Sequence, residues 1–152
     1  IMLVGPPGTG KSTVVAVLQD ALSETTGLPH RRVRMNPKAI RAEEMFGETD
    51  RLSGEWLTGV FAAIWSKYND RSRKDASMII CDGPVDAVWI ENLNTVLDDN
   101  KILTLANGDR IPMIDSCRLV FEIEDLRNAS PATVSRAGII YVSASDLDWK
   151  PV

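Results

Sequence analysis

One eight-residue stretch limits this chain more than any other. Gly5, Pro6, Pro7, Gly8, Thr9, Gly10, Lys11 and Ser12 follow a short apolar run, Ile1, Met2, Leu3 and Val4. Two glycines flank four residues, and Lys and Ser close the pattern. Such a loop turns its backbone N–H groups inward around an anion, which only positions without side chains permit at this curvature. Val14, Val15, Leu18, Ala21 and Leu22 then recur at helical spacing, so the helix that follows aims its positive N-terminal end at the same place. The expected local structure is strand, phosphate-cradling loop and helix. Lys11 would reach the β and γ phosphates of ATP, the Ser12 hydroxyl would ligate Mg²⁺, and Thr13 would complete the loop's contacts. A chance glycine turn is the competing reading, and the flanking strand and helix weigh against it.

The rest of the chain reads as alternating strands and helices. Gly27, Leu28 and Pro29 end the first helix, and residues 32–35 alternate basic and apolar as a second strand until Asn36-Pro37 stops it. From Lys38 through Met45 the pattern is helical, breaks over 47–54, and resumes from Glu55 through Tyr68, as one helix interrupted by an insert. Residues 78–81 form a continuous apolar run ending in Asp82, the look of a strand buried on both faces, so a parallel sheet is implied. A helix is expected over 89–97 and a hairpin over 101–113, turning at Asn107-Gly108. Strands are expected over 118–123 and 138–142, with a short stretch over 133–136 between them. The predicted class is α/β, a P-loop nucleotide-binding core with a mostly parallel five-stranded sheet and flanking helices.

Composition excludes several functions. The 152 residues carry a net charge of −4, so no basic field draws nucleic acid or an anionic membrane, and neither is an expected partner. No apolar run approaches the roughly 18 to 20 residues of a membrane span. The two cysteines, Cys81 and Cys117, lie in apolar strands rather than at metal-ligand spacing and are expected to be small buried hydrophobes in a reducing compartment. His30, the single histidine, is expected in a loop facing solvent, and Trp56, Trp65, Trp89 and Trp149 are expected to pack helices rather than stack bases. The chain opens inside a strand and stops without a closing helix, so it is expected to be one module, 1–152, of a longer polypeptide.

Two further positions carry chemistry. Asp82 emerges from a buried strand, where a phosphate-loop protein needs a carboxylate to hold Mg²⁺ through its water shell; the alternative is a cap for the loop at Gly83-Pro84. An ATP-hydrolysing AAA+ protein would place Glu next, to orient the attacking water, and this chain has Gly83. Asp86, the nearest later carboxylate, reads better as a helix N-cap before Trp89, so binding without efficient turnover is expected. Arg136 precedes the last strand, where ring-forming ATPases project an arginine toward a neighbour's γ-phosphate. A surface arginine paired with a local carboxylate is the equal alternative.

Several stretches resemble dynein heavy chain, and the likeness spans nearly the whole sequence. They are Asn36-Pro37-Lys38-Ala39-Ile40, the pairs Phe46-Gly47 and Glu55-Trp56, residues 82–94 and 96–100, and residues 129–138. The resemblance is nearest to the second of six AAA+ modules, and the Ser130-Pro131 form is more similar to axonemal than to cytoplasmic dyneins. It implies an AAA+ large subdomain whose helical lid is missing here, a helix-2 insert over 47–54, a pre-sensor hairpin over 102–113, and contact of both loops with the motor's linker. It also implies that Arg136 is the finger offered to the first module's nucleotide, that Asp125 stands where active modules carry a sensor asparagine, and that ATP or ADP is held structurally. Cytoskeletal location in the axoneme of cilia or flagella, adjacent ring modules, other dynein subunits and microtubules would be inherited from the parent chain. Against this stand two readings: a free-standing P-loop ATPase or small kinase using Asp86 as base, and an architectural domain whose loop is vestigial.

Overall fold

The computed structural model describes residues 1–145. Strand β1 (Met2–Val4) runs into the glycine loop and helix α1 (Lys11–Thr26), which Gly27 ends in the left-handed conformation at φ 66°. Strand β2 (His30–Met35), a 3₁₀ turn (Pro37–Ala39) and helix α2 (Ala42–Phe46) follow, then β3 (Gly47–Thr49), β4 (Trp56–Thr58) and helix α3 (Val60–Tyr68). Strand β5 (Ala76–Asp82) precedes helices α4 (Ala87–Glu91) and α5 (Asn94–Leu97), the pair β6 (Ile102–Thr104) and β7 (Arg110–Pro112), strand β8 (Cys117–Ile123), helix α6 (Pro131–Arg136) and β9 (Ile139–Tyr141).

Five strands form one sheet in the order β2-β5-β8-β1-β9, all parallel neighbours. The expected class and parallel sheet are therefore present. Because side chains alternate across a strand, register decides what each face carries. Met2, Val4, Ile79, Cys81, Leu119, Phe121 and Ile123 point into the larger core with Phe61, Trp65, Trp89 and Leu93. Leu3, Met78, Ile80 and Val120 point the other way, against Val15 and Leu22 of α1. Val14 and Leu18, grouped with that apolar stripe by spacing, are instead exposed.

Local differences from the sequence expectation have tertiary causes. Residues 56–58, expected in a helix, form β4 and pair antiparallel with β3, Trp56 opposite Thr49. Asp50 sets the reversal by accepting hydrogen bonds from the Leu52 and Ser53 N–H groups, and Trp56 lies so close over Gly47 that a Cβ there would strike its ring. The expected interruption of the second helix is present and is a β-hairpin, which extends past the expected 47–54 to Thr58. The expected helix over 89–97 is broken at Asn92-Leu93, which lets Ile90 and Leu93 both reach the core. His30 begins β2 rather than a loop and is half-buried, its Nδ1 2.8 Å from the Leu28 carbonyl.

The second hairpin is present as a separate two-stranded sheet, β6 with β7. Leu103 buries its root, and the Trp65 indole N–H donates to the Ile111 carbonyl at 3.0 Å. Trp65 and Trp89 are core residues, Trp89 stacking on Phe121 at 6.0 Å, while Trp56 packs in the first hairpin; Trp149 lies outside the described residues. Both cysteines are free and buried. Among the described residues no helix is long and apolar enough to cross a membrane.

Candidate nucleotide site

The glycine loop sits at the carboxyl end of β1, and its backbone shape explains its composition. Gly8 (φ 81°) and Gly10 (φ 82°) occupy the left-handed region, which side-chain-bearing residues enter at a cost of about 1 kcal/mol or more. Gly5 lies against the Val142 carbonyl, leaving no room for a Cβ. Thr9 is buried and its hydroxyl donates to the Pro6 carbonyl at 2.9 Å, closing the loop on itself. The Lys11 ammonium folds over the loop and donates to the carbonyls of Gly5 at 2.6 Å and Pro6 at 2.8 Å. With Pro7 at the tip and Ser12 and Thr13 in the first turn of α1, the arrangement leaves the helix N-terminus facing a cradle suited to phosphate.

Strand order determines what lies beside the cradle. Strand β8 sits between β1 and β5, and Glu122 pairs in register with Leu3 on one side and Asp82 on the other. Arg34 pairs with Ile80, so Arg34, Asp82 and Glu122 share the α1 face with Ser12. Ser12 Oγ donates to Glu122 Oε2 at 2.5 Å. Arg34 Nη1 donates to three oxygens, Asp82 Oδ2 at 2.7 Å, Glu122 Oε2 at 3.0 Å and Ser12 Oγ at 3.1 Å, and Nη2 donates to Glu122 Oε1 at 2.8 Å. Partial burial works against the Arg34 charge, but the hydrogen bonds to Asp82 and Glu122 overcome it and hold its pKa above the ordinary arginine value.

Sequence reasoning placed Ser12 and Asp82 together and missed Arg34 and Glu122. The available signal was an acidic residue inside the apolar run Leu119, Val120, Phe121 and Ile123, at the same parity as Val120. Among the described residues no group of three or more His, Cys, Asp or Glu side chains gathers as a metal site. The donor set nevertheless fits a small hard cation: hydroxyl and carboxylate oxygens already converge on one cationic nitrogen, and a phosphate tail in the loop would supply the remaining oxygens.

Gly83 follows Asp82 at φ 156°, and a Cβ there would come 2.7 Å from Asn36 Oδ1, which itself accepts from the Lys38 N–H. The Asp86 carboxylate accepts from the Val88 N–H at 2.7 Å and caps α4, the structural role expected for it. Asp125 is held by Arg127, whose Nε donates to it at 2.8 Å, and this pairing keeps its carboxyl below the usual range. Arg136 ends α6 paired with Asp98, in a concavity it shares with Ile1, Arg118 and Leu119. Those residues mark the amino ends of β1 and β8, so Arg136 lies at the opposite end of the strands from its own glycine loop.

Residues 1–137 match the family described as AAA domain (dynein-related subfamily). The chain belongs to that family. An AAA domain binds nucleotide together with Mg²⁺, which agrees with the loop and donor set above. The domain is 55% identical over 152 residues to dynein axonemal heavy chain 8 of Homo sapiens, covering 100% of this chain and 3% of that protein. It is 53% identical over 152 residues to dynein axonemal heavy chain 5 of Mus musculus, again 100% and 3%. It is 58% identical over 151 residues to the dynein gamma chain, flagellar outer arm, of Chlamydomonas reinhardtii, 99% and 3%. The AAA domain thus spans about 3% of the length of these curated relatives.

Proposed function

We propose that this AAA domain is a nucleotide-holding, non-hydrolysing module of an axonemal dynein heavy chain, second in the motor ring. ATP or ADP binds along Gly5, Pro6, Pro7, Gly8, Thr9, Gly10, Lys11, Ser12 and Thr13. Magnesium, held by Ser12 and through water by Asp82, supplies charge neutralisation for the phosphates. The parent motor is an ATPase; this module contributes binding and shape rather than turnover. It works in the cytoplasm, on the axonemal cytoskeleton of cilia or flagella. Its immediate partners are the neighbouring modules and the linker of the same chain, the latter reached by the β3–β4 and β6–β7 hairpins. Other dynein subunits and microtubules are partners of the parent chain.

The observation that carries the non-hydrolysing reading is the junction after Asp82. Activation of water needs a carboxylate within hydrogen-bond reach of it. Gly83 has none, and Asn36 Oδ1 crowds the direction in which a side chain would grow. The Asp86 carboxylate is committed to the Val88 N–H of α4, which disfavours a free-standing ATPase or kinase using it as base. Arg136 supports a role in trans, because it lies at the opposite end of the strands from its own loop; to reach a neighbour's phosphate it exchanges Asp98 for that anion. The test is ATP turnover by an intact heavy chain in which the other nucleotide sites are disabled. Negligible turnover with retained binding is expected, and robust turnover abolished by Asp86→Asn would overturn the reading in favour of an active enzyme.

A further inference from the structure

The oxygens expected to hold magnesium already surround a cation of the protein. Arg34 Nη1 lies 3.1 Å from Ser12 Oγ and 2.7 Å from Asp82 Oδ2, the two assigned metal positions, and 3.0 Å from Glu122 Oε2. Its second prong, Nη2, is anchored on Glu122 Oε1 at 2.8 Å. A Glu122 side chain only 2% exposed cannot be left without a counter-charge, whereas Asp82 at 47% can exchange partners with solvent or a hydrated ion. Ser12 Oγ donates its own proton to Glu122, so its lone pairs face Nη1 or a metal, and both cannot use the same direction at full strength.

We infer that Arg34 is a built-in counter-cation of the magnesium locus: Mg²⁺ gains Ser12 Oγ and Asp82 only as Arg34 Nη1 yields them, and Arg34 keeps nucleotide bound when the metal is withdrawn. The guanidinium pivots on Glu122, which holds Nη2 throughout. With Mg²⁺ present, Arg34 neutralises Glu122 alone. Without it, Nη1 covers Asp82 and Ser12, so no pair of uncompensated carboxylates faces the phosphate tail. Arg34 is thus a positioning residue that sets the metal dependence of binding, and the inference rests on the nucleotide-holding reading above.

The experiment uses the intact heavy chain with the phosphate loops of the other modules inactivated, and reads the affinity of a fluorescent ADP with Mg²⁺ and with EDTA. In the unaltered chain, metal removal is expected to weaken binding by no more than about fivefold, because one cation substitutes for another. In Arg34→Met the loss on metal removal is expected to be at least roughly tenfold larger, since two carboxylates then repel the phosphates. Equal metal dependence in the two chains would overturn the inference. Should Arg34→Met fail to fold, Arg34→Lys carries the same prediction in smaller measure, because one ammonium cannot span both carboxylates; an unchanged ratio there is equally fatal. A nucleotide-free arm separates this idea from the reading beneath it. Millimolar Mg²⁺ alone is expected to raise the melting temperature of the arginine variant and not that of the unaltered chain. If the unaltered chain binds no nucleotide under any condition, the nucleotide-holding reading falls, and the Mg²⁺ melting comparison alone decides the role of Arg34.

Discussion

Arg34 and Glu122 form a two-pronged ion pair, Nη2 to Oε1 at 2.8 Å and Nη1 to Oε2 at 3.0 Å, between strands that are not neighbours in the sheet. Glu122 is buried and Arg34 partly so, and removing one partner of such a pair leaves an uncompensated charge. Arg34→Ala is expected to lower unfolding stability by about 3 kcal/mol, and the Arg34→Met/Glu122→Gln double variant by clearly less than the sum of its parts. Urea unfolding of the chain checks this, and additive single effects would refute the coupling.

Lys11→Ala is expected to cut nucleotide affinity by roughly 100-fold while leaving the melting temperature of the nucleotide-free chain within a few degrees. The ammonium touches only loop carbonyls, so the core does not depend on it. Unchanged affinity would mean that the loop is vestigial.

Gly83→Glu restores the residue order of a hydrolytic module but not its geometry. A side chain at φ 156° and 2.7 Å from Asn36 costs about 1–3 kcal/mol of strain. The variant is expected to melt lower and to show no gain in turnover at this site, which single-site ATPase measurements read directly.

Arg136→Ala is expected to slow hydrolysis at the adjacent module by about 10³-fold, within the range found for arginine fingers, while nucleotide binding here is unchanged. Its present partner, Asp98, provides the control. Asp98→Asn frees the guanidinium and is expected to leave the neighbour's turnover intact or higher. Motor turnover indifferent to Arg136 would remove the role.

Burial pushes the Cys81 thiol up to about 12, against an ordinary value near 9. The folded pKa is the higher one, so the stabilising contribution is complete below about pH 9 and is lost as pH rises toward 12, at up to about 1.4 kcal/mol per pH unit. Comparing Cys81→Ala with the unaltered chain at pH 8 and pH 10.5 should show the stability difference shrinking at the higher pH. Iodoacetamide should label Cys81 only on unfolding.

Much of the site was legible as local pattern. The loop from Gly5 to Ser12 is contiguous, and Gly8 and Gly10 are demanded by its own backbone angles, although Gly5 is also required by the distant Val142 carbonyl. The strand ending at Asp82 and the capping by Asp86 were legible for the same reason: one is a continuous apolar run, the other a side chain bonded two residues away. The 47–58 hairpin was misread because Glu55 through Tyr68 keeps a helical apolar spacing, and only the packing of Trp56 on Gly47 turns its first residues into a strand.

By itself the sequence determined the phosphate loop, the α/β class, the buried cysteines and the want of an acid after Asp82. These depend on residues close in sequence, where turn chemistry and side-chain periodicity act directly. Only the tertiary structure decided that β8 runs between β1 and β5, and so that Glu122 meets Ser12 across 110 residues, Arg34 meets Asp82 across 48, and Arg34 and Glu122 meet each other across 88. It likewise put Arg136 at the amino ends of the strands, away from the glycine loop at their carboxyl ends. Strand order is a choice among long-range pairings whose energies are nearly alike locally, and it is settled by how the whole core packs, which no single stretch of sequence encodes.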